Sequence, residues 1–245
     1  MNLMPIEVTE AIILRSSPCG ELDKLVVFFS RDKGLLRGRA KGARKFGNRF
    51  GSSLEPMTYV RVFYYEKERQ DLVTISQCDL LESFLDLQND FQTACTLSYW
   101  AELTEEFYPA RIKEEPLFRL LLACLRALKA GAEREVVTRY FEIWLLRLSG
   151  LLPDIRRCQR CHRELGRQIW LSRRMDGFFC ERCSSEKKEP LPPELISFIS
   201  WTKKAPPSEK APFSAEVFER LAPLIQSWLI YHLEKEPRSL RFLKT

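Results

Sequence analysis

Four of the chain's eight cysteines, Cys158, Cys161, Cys180 and Cys183, fall into two C-x2-C pairs with eighteen residues between them. Each knuckle sets two sulfurs on one side of a tight turn, and two knuckles complete a tetrahedral thiolate set for one Zn²⁺. Four thiolates leave no open coordination position, so the expected chemistry is structural, with one ion per chain. His162 directly follows Cys161 and is expected to stand outside the site. Paired disulfides and unliganded thiols are the competing readings, and disulfides are disfavoured in a reducing cytosol. Cys19, Cys78, Cys95 and Cys124 have no such spacing, and Cys95 and Cys124 read as small core residues of helices. The arginines around the knuckles (Arg156, Arg157, Arg160, Arg163, Arg167, Arg173, Arg174 and Arg182) read mainly as solubilising charge, with some available to phosphate.

A second group is basic. The stretch LLRGRAKGARKFGNRFG, Leu35 to Gly51, holds six cations, Arg37, Arg39, Lys41, Arg44, Lys45 and Arg49, no acidic residue, and four of the chain's ten glycines. A solvated basic loop is the simplest reading, and strand alternation argues for more. If 35–42 is a strand, Leu35, Arg37, Arg39 and Lys41 share one face, and Leu36, Gly38, Ala40 and Gly42 the other. The second face is small enough to pack against a barrel interior. The first presents cations about 6.6 Å apart, near the phosphate repeat of an extended single strand. Arg44, Lys45 and Arg49 then carry the charge into a glycine-rich loop that can reach a phosphate chain. Phe46 and Phe50 lie in that loop and read equally as base-stacking or core residues. Tyr59, Phe63 and Tyr65 share a face with Arg61; they are expected to be barrel core, with base stacking as the alternative.

No catalytic constellation accompanies these groups. There is no phosphate-binding G-x-x-x-x-G-K-[ST] loop, no H-E-x-x-H and no G-x-S-x-G. Two histidines supply little for a His-based general base. The acidic pairs Glu105/Glu106 and Glu114/Glu115 read as solvated helix surfaces or ends. A binding protein is expected, with an unrecognised metal-dependent nuclease or hydrolase as the enzymatic alternative.

These groups must be positioned by a chain that changes character near residue 84. EAIILRS, KLVVFFSR, LLRGRAKGA, TYVRVFYYEK and LVTISQCDLL read as five short strands, the signature of a small OB-fold barrel. Beyond residue 84, helical patterns cover 89–109 (opened by Asn89 or Asp90), 115–131, 132–150, 192–204 and 214–235. Pro223 predicts that the last of these kinks or starts late. The expected fold is α+β and multidomain: an OB-fold barrel at 1–83, then a helical bundle at 84–245 with a four-cysteine zinc finger inserted at 154–189. The net charge of +6 is modest; residues 1–83 carry 13 basic and 11 acidic groups, so their positive charge is concentrated in the quoted stretch. The N-terminal stretch lacks the pattern of a signal peptide and no apolar run is long enough to span a bilayer, so a cytoplasmic protein without membrane partners is expected.

Three segments carry a resemblance. GELDKLVVFFSRDKGLLRGRAKGARKFGNRFGSSLEP, with its E-x-D-x-L opening and K-G-A-R segment, is similar to the N-terminal block of the RecO family of bacterial recombination mediators. FEIWLLRLSGLLPDIRRCQRC resembles that family's helix, glycine and first zinc knuckle, and DGFFCERC its second knuckle. The resemblance implies binding of single- and double-stranded DNA, annealing of complementary strands, work with RecR, contact with the C-terminal tail of single-strand DNA-binding protein (SSB), and help in placing RecA on coated strands, with nucleoid association during repair. By motif match Arg39, Lys41, Arg44 and Lys45 lead as DNA contacts, with Arg37 and Arg49 next. An acidic, apolar SSB tail would suit Arg119, Arg126 and Lys129 on the second bundle helix, unless these form an ordinary solvated face. An OB and zinc-ribbon protein that binds RNA or regulates transcription is the alternative function.

Overall fold

The computed structural model describes residues 5–66, 71–184 and 189–243. Lys67, at the end of the fourth expected strand, and residues 185–188, at the end of the expected insert, lie outside the described residues. The chain divides into two compact units, Met1–Lys129 with Pro237–Thr245, and Ala130–Glu236.

The first unit is built on a closed five-stranded barrel: β1 (Ile6–Cys19), β2 (Asp23–Ser30), β3 (Gly34–Ala40), β4 (Tyr59–Tyr65) and β5 (Leu72–Glu82), in the order β1-β2-β3-β5-β4. The β3–β5 pair is parallel; the other pairs are antiparallel. This is the OB-like barrel the strand pattern calls for. β1 is longer than expected because it serves two neighbours, β4 over Ile6–Ile12 and β2 over Ala11–Cys19, with a register shift between Ile13 and Arg15.

Alternating residues of the strands fill the barrel: Ala11 and Ile13, Val26 and Phe28, Leu36 and Ala40, Val60, Val62 and Tyr64, Val73 and Ile75. The long β3–β4 connection adds Ala43, Phe50 and Leu54 to the same core. One expectation is overturned here. Tyr59, Phe63 and Tyr65 are on the outer face with Arg61, and Val60, Val62 and Tyr64 point inward. Both faces of this strand are apolar, so alternation alone does not say which is inside.

Two helices complete the unit, α1 (Phe91–Phe107) and α2 (Glu115–Lys129). Asp90 caps α1 by accepting from the Thr93 amide at 2.8 Å. Both helices pack against β1. The physical reason lies in the strands: Ala11–Leu14 and Val26–Phe29 are buried continuously, without an exposed alternate. Strands apolar on both faces need cover on both. Ion pairs join the layers, Arg15 to Glu105 at 2.5 Å and Arg31 to Glu115 at 2.9 Å. The change from strands to helices near residue 84 therefore differs from the boundary between compact units. The C-terminal residues return to this unit as well. A 3-10 turn at Arg238–Phe242 packs on α1, where Glu102 accepts from the Arg238 and Ser239 amides, each at 2.8 Å.

The second unit contains α3 (Arg134–Leu148), a short hairpin of β6 (Ile169–Leu171) and β7 (Phe178–Cys180), α4 (Pro193–Trp201) and α5 (Ala215–Leu233). α3 packs on α5. Phe198, Trp201, Phe213 and Phe218 form an aromatic cluster with ring separations of 5.3–6.5 Å. Tyr140 donates to the Ala205 carbonyl at 3.1 Å and Trp144 to that of Thr202 at 2.9 Å, so the polar tips of these rings are satisfied. α5 starts at Ala215 and runs through Pro223 as one helix, earlier and more continuously than the proline suggests.

Candidate nucleic-acid interface and metal centre

The inward face of β3 is small for a steric reason. A Cβ on Gly38 would lie 2.7 Å from Ile75 Cγ1 and 3.1 Å from Val73 Cγ2. With Leu36, Gly38 and Ala40 turned inward, Arg37 and Arg39 must face solvent, and both are exposed. β3 stops at Ala40, so Lys41 continues the row as an exposed turn residue instead of a strand residue. Leu35 leaves the cationic face: it is 3% exposed, and its carbonyl accepts from the Arg111 amide at 3.0 Å.

The cations are held in place by specific acceptors. Arg39 Nε donates to Asp23 Oδ2 at 2.6 Å, while Asp23 Oδ1 accepts from the Gly42 amide at 2.7 Å. Asp23 thus orients Arg39 through one edge, which leaves the terminal guanidinium nitrogens out of that bond, and it pins the turn that ends β3. Arg44 Nη1 donates to the Gly20 carbonyl at 2.9 Å, and Arg49 Nε to that of Ser76 at 2.7 Å. The Arg49 guanidinium also lies 4.7 Å from the centre of the Phe50 ring. Lys45 is exposed. Arg37 lies within the field of Glu105, whose carboxyl is pushed up by burial against the pull of Arg15 and then Arg37. Lys41, Gly42, Lys45, Phe46, Gly47, Asn48 and Arg49 line a concavity of about 350 Å³. The six expected residues therefore lie along one continuous strand and loop, and the structure adds Asp23 to them. Asp23 belongs to the E-x-D-x-L opening, but its role depends on a pairing sixteen residues away that spacing does not reveal.

Asp23 supports a pH prediction. Its carboxyl is held below the ordinary carboxylate range by the Gly42 amide, then by Arg39. A depressed carboxyl stabilises the folded state fully above its unfolded pKa of about 3.9, and that contribution is lost as pH falls through the folded value. The clamp is thus complete at neutral pH. In an Asp23→Asn chain the Gly42 amide is expected to exchange with solvent roughly tenfold faster at pH 7. Unchanged protection of that amide would show that Asp23 does not hold the turn.

The second unit brings the four knuckle cysteines together. The sulfurs of Cys158, Cys161, Cys180 and Cys183 all lie within 4.8 Å of one another, with Cys161 and Cys180 at 3.9 Å. The knuckle turns close through the His162 amide to the Cys158 carbonyl at 2.8 Å and the Cys183 amide to the Cys180 carbonyl at 3.0 Å. His162 adopts a positive φ of 58° and its side chain is exposed. Burial works to raise the Cys158 thiol, and the amides of Cys161, Cys180 and Arg160 outweigh it, bringing the group down to about 6. Cys183 is pushed up to about 12, first by lost hydration and then by the hydrogen bonds it shares with Cys161, Cys180 and Cys158. Four sulfurs this close cannot all ionise without a cation among them, so the donor set suits a thiophilic, tetrahedral metal. The hairpin that carries the cluster is tied to α5: the Phe178 ring meets Trp228 edge to face at 5.7 Å, and Trp228 Nε1 donates to the Met175 carbonyl at 3.0 Å.

On α2 the three expected cations differ. Arg126 pairs with Glu82 at 2.9 Å, and Lys129 reaches the same carboxylate at 3.6 Å and the Ser83 carbonyl at 2.9 Å. Arg119 is exposed. Phe46 and Phe50, equal on sequence, separate completely: Phe46 is fully exposed and Phe50 is in the barrel core.

Comparison with known proteins agrees with this architecture. Residues 4–84 match the family described as Recombination protein O N terminal, and residues 88–241 match Recombination protein O C terminal. The chain is 41% identical over 172 residues to the DNA repair protein RecO of Koribacter versatilis, covering 70% of each. It is 31% identical to that of Dehalococcoides mccartyi over 96% of this chain and 94% of the relative. The corresponding figures for Desulfatibacillum aliphaticivorans are 32%, 98% and 97%. With both halves matched and relatives at these identities aligned almost end to end, the chain belongs to the RecO family of DNA repair and recombination proteins.

Proposed function

We propose that this chain is a recombination mediator without a catalytic step: it binds single- and double-stranded DNA, anneals complementary strands and, with RecR, helps place RecA on SSB-coated single strands. The observation that carries this reading is the outward row of Arg37, Arg39 and Lys41 running on into Arg44, Lys45 and Arg49, on a barrel whose sterics turn those side chains to solvent. Cations at strand spacing neutralise successive phosphates, and neutralising two strands at once removes the repulsion that opposes their pairing. One Zn²⁺ held by Cys158, Cys161, Cys180 and Cys183 stabilises the knuckles and takes no part in chemistry. For an acidic SSB tail Arg119 is directly accessible, whereas Arg126 and Lys129 must first exchange Glu82 for the incoming carboxylates. The reading places the protein at the nucleoid in the cytoplasm; no helix among the described residues is long and apolar enough to cross a membrane.

Annealing of complementary oligonucleotides, bare and SSB-coated, tests the reading. The purified protein is expected to speed pairing of both by at least about tenfold at low salt, where phosphate contacts are strongest. If it speeds neither, the mediator reading fails. Cleavage of DNA or RNA dependent on a divalent metal, abolished by one carboxylate substitution, would replace it with an enzymatic one.

A further inference from the structure

The barrel core accounts for Phe50, but nothing in the fold accounts for Phe46, whose accessible surface is 108% of the reference value. The loop that exposes it is built. The Asn48 side chain donates to the Lys45 carbonyl at 3.1 Å and accepts from the Phe50 amide at 3.0 Å, spanning the turn that carries residue 46. Phe50 anchors the far end in the core, Asp23 holds the near end at Gly42, and Arg49 is fixed to Ser76. Gly47, at φ +65°, turns the chain immediately after Phe46, in a conformation other residues rarely adopt. The ring is therefore presented to water by an anchored loop, beside the concavity that Lys41, Lys45 and Arg49 share with it.

Building on the DNA-binding reading above, we propose that Phe46 is a stacking platform for one unstacked nucleobase and that it makes this interface prefer single-stranded DNA to duplex. Every base has a π-face, so the site is tolerant of sequence. The other walls of the concavity are cations, glycines and an asparagine. That composition suits a base flanked by phosphates and gives an apolar peptide little to bury. In a duplex the bases are already stacked on one another, and only the phosphate contacts remain available. The site then has a direction: as two strands pair, the captured base leaves Phe46, and the duplex product is held by charge alone.

The experiment compares wild type and Phe46→Ala on three probes of equal length: a dT oligonucleotide, an abasic deoxyribose-phosphate strand and a duplex. Wild type is expected to bind the dT strand about tenfold more tightly than the abasic one, the effect of losing one stacked base. Phe46→Ala is expected to lose about tenfold on dT, with little change on the other two and the same salt dependence on all. Phe46→Trp is expected to keep dT affinity and to gain a fluorescence signal quenched by dT and unaffected by duplex. Equal loss on every probe, or no loss on dT, overturns the stacking role while leaving phosphate binding intact. Absence of binding by wild type to any probe overturns the DNA-binding reading itself. Because Phe46 is fully exposed, an unchanged melting temperature is expected and separates these outcomes from misfolding.

Discussion

A Cys158→Ser chain is expected to lose its metal and the local fold of its knuckles together. Wild type should carry about one Zn²⁺ per chain, and the variant well under half of that, by metal analysis of carefully prepared protein. The reason is the size of the insert's own core. Its hairpin strands are three residues each, and few of its side chains besides Cys158, Ile169 and Phe178 are buried. That is too little apolar surface to order some thirty residues against their conformational entropy. On the zinc reading metal binding supplies the difference, since structural zinc is worth about 10–16 kcal/mol in small domains. The loss then spreads to α5, because Trp228 packs on Phe178 and donates to Met175 within the hairpin. An altered Trp228 signal and a fall of roughly 10 °C in the melting of residues 130–236 are expected; in a unit of this size such a fall corresponds to about 2 kcal/mol. A chelator should reproduce both changes in wild type, while Cys95→Ser should leave the metal in place. Wild type free of metal, or a Cys158→Ser chain with an unaltered insert, would remove the metal centre.

Replacing Lys41 and Arg44 together by alanine should weaken single-strand binding roughly 30-fold at moderate salt, since two charge-assisted phosphate contacts are lost. The sharper readout is the salt dependence. Neutralising about four phosphates gives a slope of log K against log[salt] of about −3 for single strands, and removing two cations should reduce it to about −1.5. Folding should be little affected, because both side chains are exposed; the bond from Arg44 to the Gly20 carbonyl is lost. An unchanged slope and affinity would take these two residues out of the interface. A changed affinity at constant slope would mean they act on loop shape and not on phosphate. This double variant and Phe46→Ala are complementary, since one moves the slope and the other the preference for single strands.

How much of this was legible in the sequence varies from site to site. The cysteine cluster was legible in its parts: each C-x2-C knuckle pairs two sulfurs by local turn geometry, and the fold of the insert brings all four within 4.8 Å of one another. The basic face of β3 was legible because the uncharged Leu36, Gly38 and Ala40 alternate with Arg37 and Arg39, whose charges must stay in water. β4 was not, since Val60-Val62-Tyr64 and Tyr59-Phe63-Tyr65 are both apolar and only closure of the barrel chooses between them. The cations of α2 illustrate the same limit. Arg126 and Lys129 look like a free basic edge on a helix, and Glu82 on β5, more than forty residues away, occupies both.

By itself, then, the sequence determined what depends on near neighbours: the two knuckles, the strand periodicity, the helix ends, and a strand and loop carrying six cations with no carboxylate. Spacing over a few residues becomes spacing over a few ångströms, whatever the rest of the chain does. Only the tertiary structure decided what depends on distant partners. It set Asp23 against Arg39 and Gly42, buried Phe50 while leaving Phe46 in water, laid α1 and α2 on strands that are apolar on both faces, and returned Arg238 and Ser239 to Glu102. These outcomes follow from closing a barrel and covering its outer face, which bring together groups whose separation along the chain carries no information about their separation in space.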